Sequence, residues 1–320
     1  MLGLWFTALR RPFLDITVNT NRDVVTRIIE RPGATLDDAA LARLVDQLKT
    51  VAAKTLPSGG LTYGVFSGDR ERLSHSVITL ITDRKSGRPL AFNALALMGV
   101  TIDGEPTEIA HLGLVMVDPD LRGQGLSWVL YGLTTLLLFV RGGLRPRWVS
   151  NVTQVPAIVG MVAETFSNVF PSADPASRQS FAHLQAARAI MAQHRHVFGV
   201  GADAGFDEAR SVITNAYTGG SDDLKKRFED AAPHREARHN DFCARELDYG
   251  RGDDVLQLGQ IDLAGAQRYL TGQVPRASLP GIAAAMAMLL LQRMILPIGY
   301  WLNDRGRYGL LRPRTARGDT

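Results

Sequence analysis

The chain has 320 residues, 45% hydrophobic and 21% charged, with 15 prolines and a formal net charge of +4. This length suits one large domain or two ordinary ones, and the composition excludes a disordered chain. Apart from an arginine-rich tail between Arg305 and Arg317 the basic excess is spread out, which argues against a nucleic-acid-binding stripe.

The N-terminus, MLGLWFTALRRPFL, puts its apolar run ahead of its arginines and has no small-residue cleavage site, the wrong order for a secretory signal. Arg22 to Glu30 reads as a strand from its β-branched content. The next segment, ATLDDAALARLVDQLKTVAAK, predicts a helix with Thr35 as cap and Asp38 three residues on. Leu41, Leu44, Val45, Leu48 and Val51 form its apolar stripe. Residues 58–74 are turn-rich. Three strands then follow: HSVITLITD, ending at the turn RKSG; PLAFNALALMGV, ending at DGEP; and TEIAHLGLVMV, ending at Asp118-Pro119. Turns this short predict an antiparallel meander, with a central strand apolar on both faces.

After Arg122-Gly123-Gln124-Gly125, the residues Leu126, Val129, Leu130, Leu133, Leu136, Leu137 and Val140 keep helical spacing. Trp128, Tyr131, Leu138 and Phe139 make the other faces apolar too, so this helix is expected to be buried all round, enclosed partly by the C-terminal half. RWVSNVTQV reads as a strand parallel to the one before the helix, because a helical crossover joins them. A helix from Pro156 to Ser167, another from Arg178 to Gln193, short strands at HVFGV and RSVITNAY, a helix capped by Ser221 and a strand at DVLQLGQIDL complete the pattern. No internal repeat is evident. Ser278 to Leu302 is apolar but interrupted by Gln292, Arg293 and Pro297. It reads as a buried helix over Ile282 to Met294, with a membrane-touching segment and a true span, which needs about 20 apolar residues, as the alternatives.

The one cysteine, Cys243, cannot form an internal disulfide and reads as a small buried residue; this fits a reducing cytoplasm. The seven histidines are scattered and no CxxC or HExxH spacing occurs, so no metal is expected. Asp253 and Asp254 read as turn residues.

The glycine turn is the most informative stretch. A strand that ends in glycines and opens a helix presents free backbone N–H groups along the helix dipole, a setting that stabilises a phosphate. The dinucleotide pattern is excluded, since no third glycine follows and the preceding strands are antiparallel; the Walker pattern is absent as well.

VMVDPDLRGQGLS resembles motif A of the GNAT acyltransferases, Arg/Gln-x-x-Gly-x-Gly/Ala after a hydrophobic strand. Arg122, Gly123, Gln124, Gly125 and Leu126 match, and Ser127 stands where that family usually has Gly or Ala. The resemblance covers about residues 22–171. It implies a GNAT-like α/β (α+β) fold with a mixed antiparallel/parallel sheet flanked by helices. Residues 1–175 would form the acyl-CoA-binding core, and residues 176–320 a C-terminal α/β extension that completes or caps it. It further implies that backbone amides of residues 122–127 bind the pyrophosphate of acetyl-CoA or another acyl-CoA. Val115, Met116 and Val117 would pair with the pantetheine arm, in a gap where the strands flanking the helix splay apart.

Acyl transfer to an amine needs a base, an oxyanion donor and a proton for the thiolate. His111 is the candidate base, since a glutamate holds the corresponding place in histone-acetylating members; a hydrogen-bonded sheet histidine is the plain alternative. Glu108 is the reserve, although its position near a turn favours a solvated carboxylate. Ser150 and Asn151 could bind substrate or simply cap the strand. The tyrosine acid that many members carry on the helix after the parallel strand is missing here. The expectation is thus a cytoplasmic acyl-CoA-dependent acyltransferase, of N-acetyltransferase type, acting on a small-molecule or peptide amine without nucleic acid. The alternatives are an acyl-CoA sensor without turnover, and a membrane-peripheral enzyme of lipid or long-chain acyl substrates that uses residues 278–302.

Overall fold

The computed structural model describes residues 13–20, 23–55, 64–121, 126, 128–218 and 225–302. Strands β1 (Asp15–Val18), β2 (Val24–Glu30), β3 (Ser76–Asp83), β4 (Pro89–Ile102) and β5 (Glu105–Val117) form the expected antiparallel meander. Beyond it lie β6 (Arg147–Thr153), β7 (Ser167–Phe170), β8 (Gly205–Asp207), β9 (Val212–Thr214) and β10 (Asp254–Ile261). Among the described residues these ten strands make one sheet in the order β1-β2-β3-β4-β5-β6-β10-β9-β8, with β7 also paired to β10. Only β5 and β6 pair in parallel; the other neighbours are antiparallel. The protein is therefore a mixed α/β fold, and β10, from the C-terminal part of the chain, continues the sheet directly beside β6.

Besides short helical turns at Pro32–Thr35 and Arg70–Ser74, the described helices are α1 (Asp38–Thr55), α2 (Thr134–Arg141, entered through a π-helical turn at Trp128–Leu133), α3 (Pro156–Thr165), α4 (Phe181–Gln193), α5 (Ala237–Glu246), α6 (Leu263–Gly272) and α7 (Leu279–Leu302). On one face of the sheet α1 buries its predicted stripe against Ile29, Ile78, Leu80 and Phe92. On the same face α4 sets Ile190 and Met191 against Met98, Val100 and Ile109. The opposite face carries α2, whose residues from Thr134 to Val140 are all buried. Its other cover is the C-terminal part of the chain: Tyr269 of α6 and Ile282, Ala285 and Leu289 of α7 share its core. Gly132 makes this possible, because a Cβ there would lie 1.9 Å from the Tyr269 ring.

Local chemistry corrects several expectations. Asp37, not Thr35, caps α1, accepting the Ala40 amide at 2.7 Å, while Thr35 bonds back to the Arg31 carbonyl. Helix α3 stops at Thr165, and the chain turns at once into β7. Ser180 caps α4 in a reciprocal pair with His183, so that helix begins at Phe181. HVFGV, read as a strand, falls in a 3-10 turn (Arg195–Phe198) closed by Gly199 at positive φ. Asp253 and Asp254 are buried rather than exposed in a turn. Asp253 is held by the Arg251 guanidinium, and Asp254 accepts the Tyr217 hydroxyl at 3.0 Å. Cys243 is buried, and burial pushes its thiol up to about 12, which leaves it unreactive. The expected Ser221 cap lies outside the described residues.

Candidate active site

The strands on either side of the glycine segment and its helix, β5 and β6, part company. Parallel pairing between β5 and β6 is confined, among the described residues, to Ala110 with Val149 and His111 with Ser150. Just beyond His111 the β4–β5 register slips: Ala94 faces Leu114, whereas Ala96 faces His111. This bulge bends β5, and among the described residues β5 runs on as far as Val117 beside β4 alone of the strands. Meanwhile β6 is carried away by β10, which pairs with it from Arg147 to Thr153. The result is a fork whose apex is the His111–Ser150 pair. Its open side is bounded on one flank by Gly113 to Val117, where Gly113, Leu114, Val115 and Val117 are only half-buried although they lie well inside the sheet.

Gly113 permits the bulge. A Cβ there would sit 2.4 Å from the Ala94 carbonyl oxygen, so any side chain would push β4 and β5 apart. A glycine within a strand pattern signals such a bulge, but Gly113 did not stand out in the sequence among the apolar residues around it.

Where β5 ends, Asp118 is buried and anchors the start of the glycine loop. Its Oδ2 accepts Lys54 of α1 at 2.5 Å and Arg88 of the β3–β4 turn at 2.9 Å. The Lys54 ammonium holds this carboxyl below the usual carboxylate range. Arg122, Gly123, Gln124, Gly125 and Ser127 lie outside the described residues. Leu126 is described; its carbonyl accepts the Val129 and Leu130 amides as the π-helical turn begins. That wide turn is held from below by Asn93 of β4, whose Nδ2 donates to the Leu130 carbonyl at 2.7 Å. Asn93 Oδ1 is buried without a partner among the described residues. It lies opposite Val115, one strand in from the fork.

His111 is buried at the apex. Its Nδ1 shares a 3.0 Å hydrogen bond with Ser150 Oγ, and its ring packs 5.1 Å from that of Phe198. Burial pushes it down to about 4, so the imidazole is neutral near neutral pH. Glu108 lies three residues before the fork, toward the start of β5. Arg31 and Arg147 engage its two oxygens, the latter at 2.8 Å, and this commits the carboxylate to ion pairs. Asn151 is buried and donates to Gln257 of β10 at 3.3 Å, while Gln257 in turn bonds the carbonyls of Val159 and Pro171. The structure thus joins His111 and Ser150 directly, sets Val115, Met116 and Val117 along the fork, and turns Glu108 and Asn151 toward other partners.

No protein-family model matches the chain, and no curated protein does either. Among solved structures, the chain is similar to an acetyltransferase of Trypanosoma brucei (20% identity over 34% of this chain and 69% of that one, TM-score 0.25). It is also similar to a ribosomal-protein-S5-alanine acetyltransferase of Vibrio fischeri (10% identity, 76% and 96%, TM-score 0.34). A third likeness is to a conserved Enterococcus faecalis protein described as a probable N-acyltransferase (12% identity, 46% and 33%, TM-score 0.32). At these superposition scores the likenesses carry no weight for activity.

Proposed function

We propose that this protein is an acyl-CoA-dependent acyltransferase that moves an acyl group from a coenzyme A thioester to an amine. The observation that supports this most is the fork: a bulged strand that diverges from β6 and is followed, after the sequence Arg122-Gly123-Gln124-Gly125, by a buried helix. In this reading the pantetheine arm pairs with the strand edge along Val115 and Val117, on the side of β5 away from β4, as an added strand. The pyrophosphate rests on the backbone amides of residues 122–127, at the positive end of the helix.

The amine attacks the thioester carbonyl; the C–N bond forms, the C–S bond breaks, and the amine proton ends on the coenzyme A thiol. Backbone amides along Val115 to Val117 hold the developing oxyanion. His111, held by Ser150, is buried and neutral, and its depressed basicity makes it a weak acceptor. It therefore serves to take the proton from the zwitterionic intermediate, whose ammonium is more acidic than a free one. Glu108, between its arginines, has no part in this scheme. Calorimetry with acetyl-CoA and coenzyme A, together with a thiol-release assay over a panel of amines, tests the reading. Binding with turnover supports it, binding without turnover favours the sensor alternative, and no binding refutes both.

A second observation favours a peripheral membrane contact. Among the described residues, Arg276–Ile295 is long and apolar enough to cross a membrane, and only 28% of its apolar window is buried. Leu290, Leu291 and Met294 are exposed, whereas Ile282, Ala285, Leu289 and Gln292 are buried and Arg293 donates to the Arg141 carbonyl at 3.2 Å. A helix docked by one face with an apolar face outside suits a bilayer surface rather than a span. Liposome co-sedimentation tests it: Leu290→Glu combined with Leu291→Glu and Met294→Glu should abolish binding, and binding unchanged by these substitutions would refute it.

A further inference from the structure

Away from the fork, α3 and α5 bring together three side chains that sequence spacing does not connect. Glu164 lies in the last turn of α3, His234 just before α5, and His239 in the first turn of α5. Glu164 Oε1 is 3.6 Å from His234 Nε2 and 3.6 Å from His239 Nε2. All three atoms lie within 4.8 Å of one another. The imidazole rings cross at 79° with centroids 4.6 Å apart.

Buried polar atoms without partners are uncommon and call for a cause. His239 is 1% exposed, yet among the described residues both its ring nitrogens lack a hydrogen-bond partner, and so does Glu164 Oε1. The rest of the cluster is well held. Glu164 Oε2 accepts Arg235 at 2.8 Å, and the Asn240 side chain clamps the His234 backbone through bonds of 2.8 and 2.9 Å. The His234 ring lies on Gly160, one turn before Glu164, where a Cβ would come within 2.5 Å of Cδ2. Burial, helped by the positive charges of His234 and Arg238, lowers the basicity of His239 against the opposing pull of Glu164 and Glu236.

We propose that Glu164, His234 and His239 bind one divalent transition-metal ion of the zinc class, tying α5 to α3. Around zinc, bonds of about 2.0–2.1 Å set tetrahedral ligands roughly 3.4 Å apart, close to the separations found here. Two imidazoles and one carboxylate form a ligand set suited to zinc, and a solvent ligand completes the coordination. His234 Nδ1 accepts the Glu236 amide at 3.1 Å, an arrangement that places the ring proton on Nε2, facing the cluster. Binding through Nε2 returns that proton to Nδ1, so the Glu236 peptide must give up this bond.

The test uses the full chain without a histidine tag, stripped by chelator and titrated with Zn2+ and, as a spectroscopic probe, Co2+. One ion should bind per chain, Co2+ should give a visible absorption band that Zn2+ displaces, and the melting temperature should rise. Glu164→Gln and His239→Gln, checked for folding by circular dichroism, should each weaken binding on the order of 100-fold or more. Replacing the separate pair His194 and His196 by Ala should leave binding intact. Substoichiometric binding without a Co2+ band by the wild-type chain would overturn the proposal, as would full binding by Glu164→Gln or loss of binding in the His194/His196 variant.

Discussion

Replacing His111 by Asn should change how stability depends on pH. The Asn side chain can keep a polar partner near Ser150 Oγ but does not titrate. In the wild type, burial takes the imidazole from 6.5 down to about 4. As pH falls below about 6.5 the unfolded chain therefore takes up a proton that the folded protein refuses until about 4. The contribution of this residue is fully present above the unfolded value and is lost across that window. At about 1.4 kcal/mol per unit, the loss is on the order of 3 kcal/mol. Urea denaturation of both proteins between pH 4.5 and 8 gives the difference directly, since other groups cancel. Relative to the variant, the wild type should lose stability progressively below pH 6.5 and none above it. A flat difference, or a folded-state imidazole titrating near 6.5 by NMR, would refute the reasoning and with it the buried, neutral His111 at the apex of the fork.

Asp254 should show the opposite sign: burial raises its carboxyl to about 7, so the wild type loses stability as pH rises from about 4 to 7. Asp254→Asn, which still accepts from Tyr217, should remove up to about 4 kcal/mol of this slope in the same urea assay. Gly113→Ala places a methyl against the Ala94 carbonyl and should destabilise by about 1–3 kcal/mol while weakening acyl-CoA binding, read by thermal melts with and without ligand. Gly132→Ala collides with the buried Tyr269 ring and should cost a similar amount, and Tyr269→Leu should relieve much of it in a double-mutant cycle.

The meander and the crossover helix were legible in the sequence because apolar strands joined by short turns and an apolar run at helical spacing leave strong local patterns. The apolar surplus around Leu138 and Phe139 likewise foretold that α2 is buried on every side, and Tyr269, Ile282 and Leu289 supply that cover. The splayed strands were expected only through the resemblance: the fork depends on a contact between Gly113 and Ala94, which a single glycine among apolar residues signals weakly, and on β10 drawing β6 aside, which leaves no local signature. His111 could be picked out, but not its bond to Ser150 or its burial. Glu108 seemed available as a base because arginines 31 and 147 are distant in sequence and meet it only in the sheet. The Glu164–His234–His239 cluster was hidden for the same reason.

The most direct measurement of the central claim is calorimetric binding of acetyl-CoA to the wild-type chain and to Gly125→Glu. A side chain and a negative charge placed in the glycine turn should exclude the pyrophosphate. The wild type should bind one equivalent and release thiol with a suitable amine, while the variant should do neither. Equal binding by both proteins, or none by the wild type, would contradict the account.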